Sequence, residues 1–234
     1  GNPINLKNQY QKLSQDLKAI YIKPPSQKIL LTEIQKLFPA KGIFISKIIV
    51  TRGESQTGYD FNEGIKPTRI LLKIDFNINK YEIFKKGVRL TASNIRATKS
   101  SNSGIKDLNR LENVLARKSI SRNFFDAIMV DSNGNICDCA RSSLFIRHGN
   151  ILYTASNKSF GIHGVTKKII CENVKKLNLT IDYSPLTLNQ LEKADEVIVS
   201  NSIFGALQVV RFKNTKWEKG NLANSITNLL NESD

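Results

Sequence analysis

The sequence predicts an α+β or α/β chain built in two parts. Three observations lead there. Early segments with apolar residues at helical spacing alternate with short runs of β-branched and aromatic residues. A polar stretch at 94–104, rich in Ser and Thr, reads as a connector between domains. Beyond Phe125 the character becomes mostly β. The expected organisation is a smaller α/β domain over 1–93, the connector over 94–104 and a larger domain over 105–234. At 234 residues, 40% of them hydrophobic, the chain can bury a substantial core.

Leu6 to Ile22 reads as an amphipathic helix, because Leu6, Tyr10, Leu13, Leu17 and Ile20 fall on one face. Pro24 and Pro25 stop it, and Ser26 can cap a second helix to about Leu37. Gly42 to Thr51 and Thr68 to Phe76 read as strands around a polar loop, and Gly87 to Ala92 as a third. Leu108 to Ala116 is helical by pattern. Ala127 to Asp131 is a strand, and Ser132-Asn133-Gly134-Asn135 is a hairpin signal with Cys137 to Phe145 as the returning segment. His148-Gly149-Asn150 turns into the strand Ile151 to Tyr153. Val165 to Leu177 is a helix, and Thr187 to Lys193 a short helix capped by its Thr. Thr180 to Tyr183, Glu196 to Ser200 and Leu207 to Arg211 are strands, and a last helix runs from Gly220 to about Leu230.

Composition bounds the function. No apolar run is long enough for a transmembrane helix, and the N-terminus lacks the pattern of a secretory signal, so a cytoplasmic protein is expected. Cys137, Cys139 and Cys171 make an odd count, which argues against a disulfide framework. The only histidines, His148 and His163, have no ligand-spaced partners, so no metal site is expected. The net charge of +15 suits an acidic partner. Yet the 35 Lys and Arg are scattered along the chain, and no nucleic-acid-binding motif accompanies them.

The common catalytic signatures are absent: no Gly-x-Ser-x-Gly, no P-loop, no Rossmann glycines, no His-Glu-x-x-His. Four other segments stand out. They are Gly104 to Glu112 (GIKDLNRLE), Asn135 to Phe145, Gly161 to Lys167 (GIHGVTK) and Ala194 to Gly205. Each alone has an ordinary explanation. Lys106 could be a solvated charge, Asp138 a hairpin residue, Gly164-Val165-Thr166 a plain helix start and Ser200 to Ser202 a plain turn. Together they hold a lysine, an acid, a helix N-terminus and hydroxyls. Pyridoxal 5′-phosphate (PLP) chemistry needs that set: an amine for its aldehyde, a carboxylate for its ring nitrogen and donors for its phosphate.

The order and wording of these segments resemble the class IV aminotransferase superfamily, and the string from Gly104 to Glu112 most resembles the aminodeoxychorismate lyases. The resemblance runs from about Leu6 to about Val210. It implies a two-domain, fold-type IV PLP enzyme like the D-amino acid aminotransferases. The N-terminal domain is expected to be shortened, lacking the family's first strands. It also implies PLP as cofactor, a small anionic substrate, a homodimer and a role in making 4-aminobenzoate for folate. Lys106 matches the Schiff-base lysine and is the catalytic residue. Asp138 sits where the family has a Glu facing the pyridine nitrogen. Val165 and Thr166 match the phosphate turn, Ser202 a second phosphate-binding hydroxyl, and Lys12 a phosphate-binding Arg. Arg110, with Asn109, is expected at the substrate. Asp138 is one methylene shorter than Glu, and Lys12 offers a point charge rather than a fork.

The expected reaction is conversion of 4-amino-4-deoxychorismate to 4-aminobenzoate and pyruvate. Three other readings remain open: a class IV aminotransferase for branched-chain or D-amino acids, a catalytically degenerate member, and a basic protein that binds nucleic acid through charge alone.

Overall fold

A computed structural model describes residues 3–38, 41–55, 58–62, 64–76, 85–156 and 160–232. They divide into two compact units, residues 1–80 and 81–234.

The smaller unit holds helices α1 (Leu6–Ala19) and α2 (Gln27–Leu37) and the antiparallel strands β1 (Phe44–Thr51) and β2 (Thr68–Asp75). Ser26 caps α2 as its sequence suggests, its hydroxyl accepting the Ile29 N–H at 3.3 Å. Helix α1 ends before Ile22. Tyr21 turns left-handed at φ 59°, and the carbonyls of Ile20 and Tyr21 accept Arg52. Leu30, Ile34 and Phe38 form the unit's core, with Leu13, Ile48 and Leu71 packed against them.

The larger unit is built on one mixed sheet in the order β5-β4-β3-β10-β9-β6-β7-β8, with β11 paired to β10. Its strands are β3 (Val88–Ala92), β4 (Asp126–Val130), β5 (Ile136–Cys139), β6 (Ser143–His148), β7 (Ile151–Thr154), β8 (Thr180–Asp182), β9 (Glu196–Asn201), β10 (Gly205–Phe212) and β11 (Thr215–Lys216). Strand β3 lies inside this sheet, parallel to both β10 and β4, with Leu90 fully buried. The unit therefore begins before the expected connector at 94–104.

Alternation splits the strands between two cores. Val197 and Val199 of β9 join Leu144, Ile146 and Phe212 on one face. Ile198 joins Phe145 and Ala206 on the other, under helices α4 (Val165–Asn173) and α6 (Leu222–Asn231). Full burial of each such side chain contributes about 1.5–3 kcal/mol.

Two local expectations change. Cys137 to Phe145 is not one strand but two, β5 and β6, parted at Ala140–Ser142. The cause is Asp126 on β4. Its carboxylate accepts the Ser142 hydroxyl at 2.6 Å and the Arg141 N–H at 3.3 Å, which pins a tight turn. Helix α3 (Leu111–Lys118) begins after Arg110, not at Leu108. Arg110 donates to the Ile105 carbonyl and pairs with Asp107 at 3.3 Å, holding residues 105–110 out of helical geometry. Helix α4 passes into a 3₁₀ turn at Val174–Leu177. Helix α5 (Leu188–Glu192) has the capping box that Thr187 promised, closed by Gln190.

Candidate active site

The site builds from the start of α4. Gly164 caps this helix with extended backbone and no side-chain hydrogen bond, and the first intrahelical bond is Lys168 N–H to Gly164 O. The first-turn N–H groups of α4 therefore have no acceptor within the helix, and the helix dipole adds positive potential there. The Thr166 hydroxyl in that turn lies 3.2 Å from the Ser202 hydroxyl beyond β9. Ser200, two residues earlier, is 1% exposed, and its hydroxyl oxygen has no hydrogen-bond partner. Ser143 faces it across the β6–β9 ladder, and the Ser143 hydroxyl is 3.7 Å from where a side chain on Gly164 would begin. Hydroxyls and open N–H groups thus gather where α4 meets the ends of β6 and β9. An orphaned buried hydroxyl costs energy unless something fills its valence, and a phosphate suits this donor set. Sequence reasoning picked Thr166, Val165 and Ser202. It missed Ser143, for which no local signal existed.

The segment that carries Lys106 is tied to the turn before α4 through Gly104. Gly104 donates to the Gly161 carbonyl at 3.0 Å and accepts the His163 N–H at 2.9 Å, so residues 104–106 run beside the turn leading into α4. Gly104 sits at φ +87°, a conformation that L side chains rarely adopt. Lys106 follows on the exposed side of this joint, in the loop that Arg110 braces. Arg110 is thus spent on its own loop, while Asn109 is exposed beside it.

Asp138 lies within β5 and is buried. Its Oδ1 accepts the Leu144 N–H at 2.8 Å, and its Oδ2 faces the Lys167 ammonium at 3.5 Å. Burial pushes the Asp138 carboxyl above its ordinary range, and the charge of Lys167 and the Leu144 N–H oppose that only in part. Lys167 also donates to the Ala155 carbonyl at 2.6 Å and is only 5% exposed. Its position beside Thr166 was visible in the sequence, but its burial was not.

Lys12 belongs to the smaller unit, where it pairs with Asp16 one turn along α1. A cavity of about 190 Å³ opens on the larger unit, lined by Ile136, Leu144, Tyr153, Ala155 and Tyr183 among others. Lys106, Asp138, Thr166 and Ser202 do not line it. Cys137 borders this cavity, and burial raises its thiol to about 12, so it stays protonated. Among the described residues no cluster of His, Cys, Asp and Glu could hold a metal ion, and no helix is long and apolar enough to cross a membrane.

Comparison with known proteins adds three kinds of finding. The family model for amino-transferase class IV matches residues 1–212. The aminodeoxychorismate lyase of Bacillus subtilis is 26% identical over 94% of this chain and 75% of its own length. The D-alanine aminotransferase of Listeria monocytogenes is 27% identical over 53% of the chain, and the match spans only 42% of that relative. The crystal structure of 4-amino-4-deoxychorismate lyase from Pseudomonas aeruginosa superposes with a TM-score of 0.89 at 27% identity, covering 99% of this chain and 86% of that one.

Proposed function

From the premise that the chain belongs to the class IV amino-transferase family and has its fold-type IV architecture, we propose that it is a PLP-dependent lyase. It would convert 4-amino-4-deoxychorismate to 4-aminobenzoate and pyruvate, in the cytoplasm and in the service of folate synthesis. The observation that supports this reading is likeness to lyases over nearly the whole chain, in sequence and in structure. Likeness to a lyase spans 94% of the chain, whereas likeness to the D-alanine aminotransferase spans 53%.

PLP, when bound, supplies an electron-withdrawing ring that accepts the electron pair left by deprotonation beside the substrate nitrogen. Lys106 would hold the cofactor through its aldehyde, and its free amine would take the proton from the ring carbon bearing the substrate nitrogen. The bond to the enolpyruvyl oxygen then breaks, the substrate ring becomes aromatic, and a proton delivered to the departing methylene gives pyruvate. Asp138 would be the carboxylate that keeps the cofactor's ring nitrogen protonated. Thr166, Ser202, Ser200 and the first N–H groups of α4, Val165 among them, would hold the phosphate. Asn109, exposed in the same loop as Lys106, would contact the substrate. Arg110 serves by bracing that loop. The net charge of +15 suits a substrate with two carboxylates and a cofactor with a phosphate.

The functional unit is a homodimer. Leu108, Leu111, Val114 and Leu115 are 69%, 65%, 61% and 45% exposed on and before α3, an apolar face that a second copy would cover.

The test is a visible spectrum after adding PLP, followed by a pyruvate assay. Wild type should show a visible band and release pyruvate, and Lys106→Ala should do neither. Amino transfer to a keto acid without pyruvate release would establish the aminotransferase reading, which the D-alanine aminotransferase match supports. No band at all would leave a degenerate member.

A further inference from the structure

Lys167 occupies a position that is unfavourable to a cation twice over. It is buried, which strips water from its ammonium. It also lies in the first turn of α4, where the helix dipole is positive. Its offsetting partners are the Ala155 carbonyl at 2.6 Å and the Asp138 carboxylate at 3.5 Å. Asp138 meets the reciprocal difficulty. Asp126 on β4, itself buried, adds a like charge nearby. Cys137 and Cys139, on its own strand, are buried thiols held protonated. From β6 comes only the neutral Leu144 N–H. The Arg141 guanidinium donates to the Phe125 carbonyl and lies over the Phe125 ring, while its backbone N–H donates to Asp126. From α4 comes Lys167, the cation paired directly with the Asp138 carboxylate.

We propose that Lys167 is a positioning residue that keeps Asp138 an anion and fixes the plane of its carboxylate, so that this short acid can serve as the partner of a protonated ring nitrogen. The inference rests on the reading of Asp138 given above. Its physical content is separate: an ion pair inside the protein sets the charge of a group that would otherwise take up a proton. Lys167 anchors Oδ2 from the helix while the Leu144 N–H anchors Oδ1 from β6, so the carboxylate cannot rotate to follow a ligand. The first turn of α4 then has two tasks. Its backbone and Thr166 face an anion, and its Lys167 faces the acid.

The experiment is carbon-13 NMR of the full chain labelled at Asp carboxyl carbons, titrated without cofactor, with the Asp138 signal assigned from Asp138→Asn. In wild type Asp138 should be ionised at neutral pH. Lys167→Met should raise its titration midpoint by about one to three units, the usual effect of losing an adjacent opposite charge. Lys167→Arg should restore the midpoint and, in the loaded enzyme, the pH dependence of the visible band. If Lys167→Met titrates like wild type, or Lys167→Arg shifts as far as Lys167→Met, the proposal fails. Should Lys167→Met not fold, an Asp138 found protonated at neutral pH in the unaltered protein overturns it. A wild type that binds no PLP but shows the NMR shifts would sink the enzymatic reading and leave the ion pair standing.

Discussion

The hydroxyls of Thr166 and Ser202 lie 3.2 Å apart although 36 positions separate them in the chain. One comes from the first turn of α4 and the other from just beyond β9, so α4 and this sheet end must dock before the pair exists. Around it stand Ser200, with an unsatisfied buried hydroxyl, and the open N–H groups of the helix. An anion bound there would gain several donors already aimed.

Removing either hydroxyl, as Thr166→Val or Ser202→Ala, should weaken PLP binding by roughly ten- to a hundredfold, the worth of one hydrogen bond to a charged group. Absorbance titration measures it. Pyridoxal, which lacks the phosphate, should bind the variants and wild type equally. An equal loss for both ligands would remove these hydroxyls from the phosphate site.

Ser200→Ala should behave differently on its own. Its hydroxyl has no partner to lose in the cofactor-free protein, so stability in urea should stay the same or rise. PLP affinity should nevertheless fall. A drop in stability with unchanged affinity would make Ser200 a structural residue only.

Gly104→Ala should destabilise the larger unit by about 1–2 kcal/mol, because φ +87° forces an L residue into left-handed geometry. The His163 ring, 3.0 Å from the added carbon, must also shift, which adds to the backbone cost. Denaturant melts should show the loss, and PLP should react more slowly with Lys106 because the joint that positions it is altered.

The pH dependence of stability follows from Asp126. Burial raises its carboxyl above the ordinary value of 3.8, and its bonds from Ser142 and Ala127 oppose that only in part. The folded state therefore binds the proton more tightly than the unfolded chain. Its contribution is full below the unfolded value and is lost as pH rises through the raised folded one. Asp126→Asn should show a flatter fall in melting temperature over that window than wild type. Parallel curves would refute the assignment.

Charging the apolar face of α3, with Leu111→Glu and Val114→Glu together, should convert a dimer into a monomer of 26.3 kDa. Sedimentation equilibrium reads this directly. Both side chains are more than half exposed in the single chain, so the fold should survive. A wild type that is already monomeric at micromolar concentration would dismiss the homodimer.

Much of the architecture could be read from neighbouring residues, because local rules decide it. Ser26 capping α2, the hairpin turn at Gly134 and the Thr187–Gln190 capping box each rest on contacts within a few positions. The lysine string and the helix start at Gly164 were legible for the same reason: their chemistry is written in consecutive residues. Other features needed the folded chain. Asp126 breaks a continuous β-prone run at Ala140–Ser142 from 16 positions away. Arg110 delays α3 by turning back on its own loop, which helical periodicity cannot register. A lysine next to Thr166 at a helix start reads as one more surface cation. Only the packing of α4 against the sheet removes its water and presents it to Asp138, and burial makes that charge matter. Sequence thus determined which chemical groups are present and which local turns carry them. Tertiary structure decided which of them lose solvent and face one another, because desolvation and distance arise only when elements far apart in the chain are packed together.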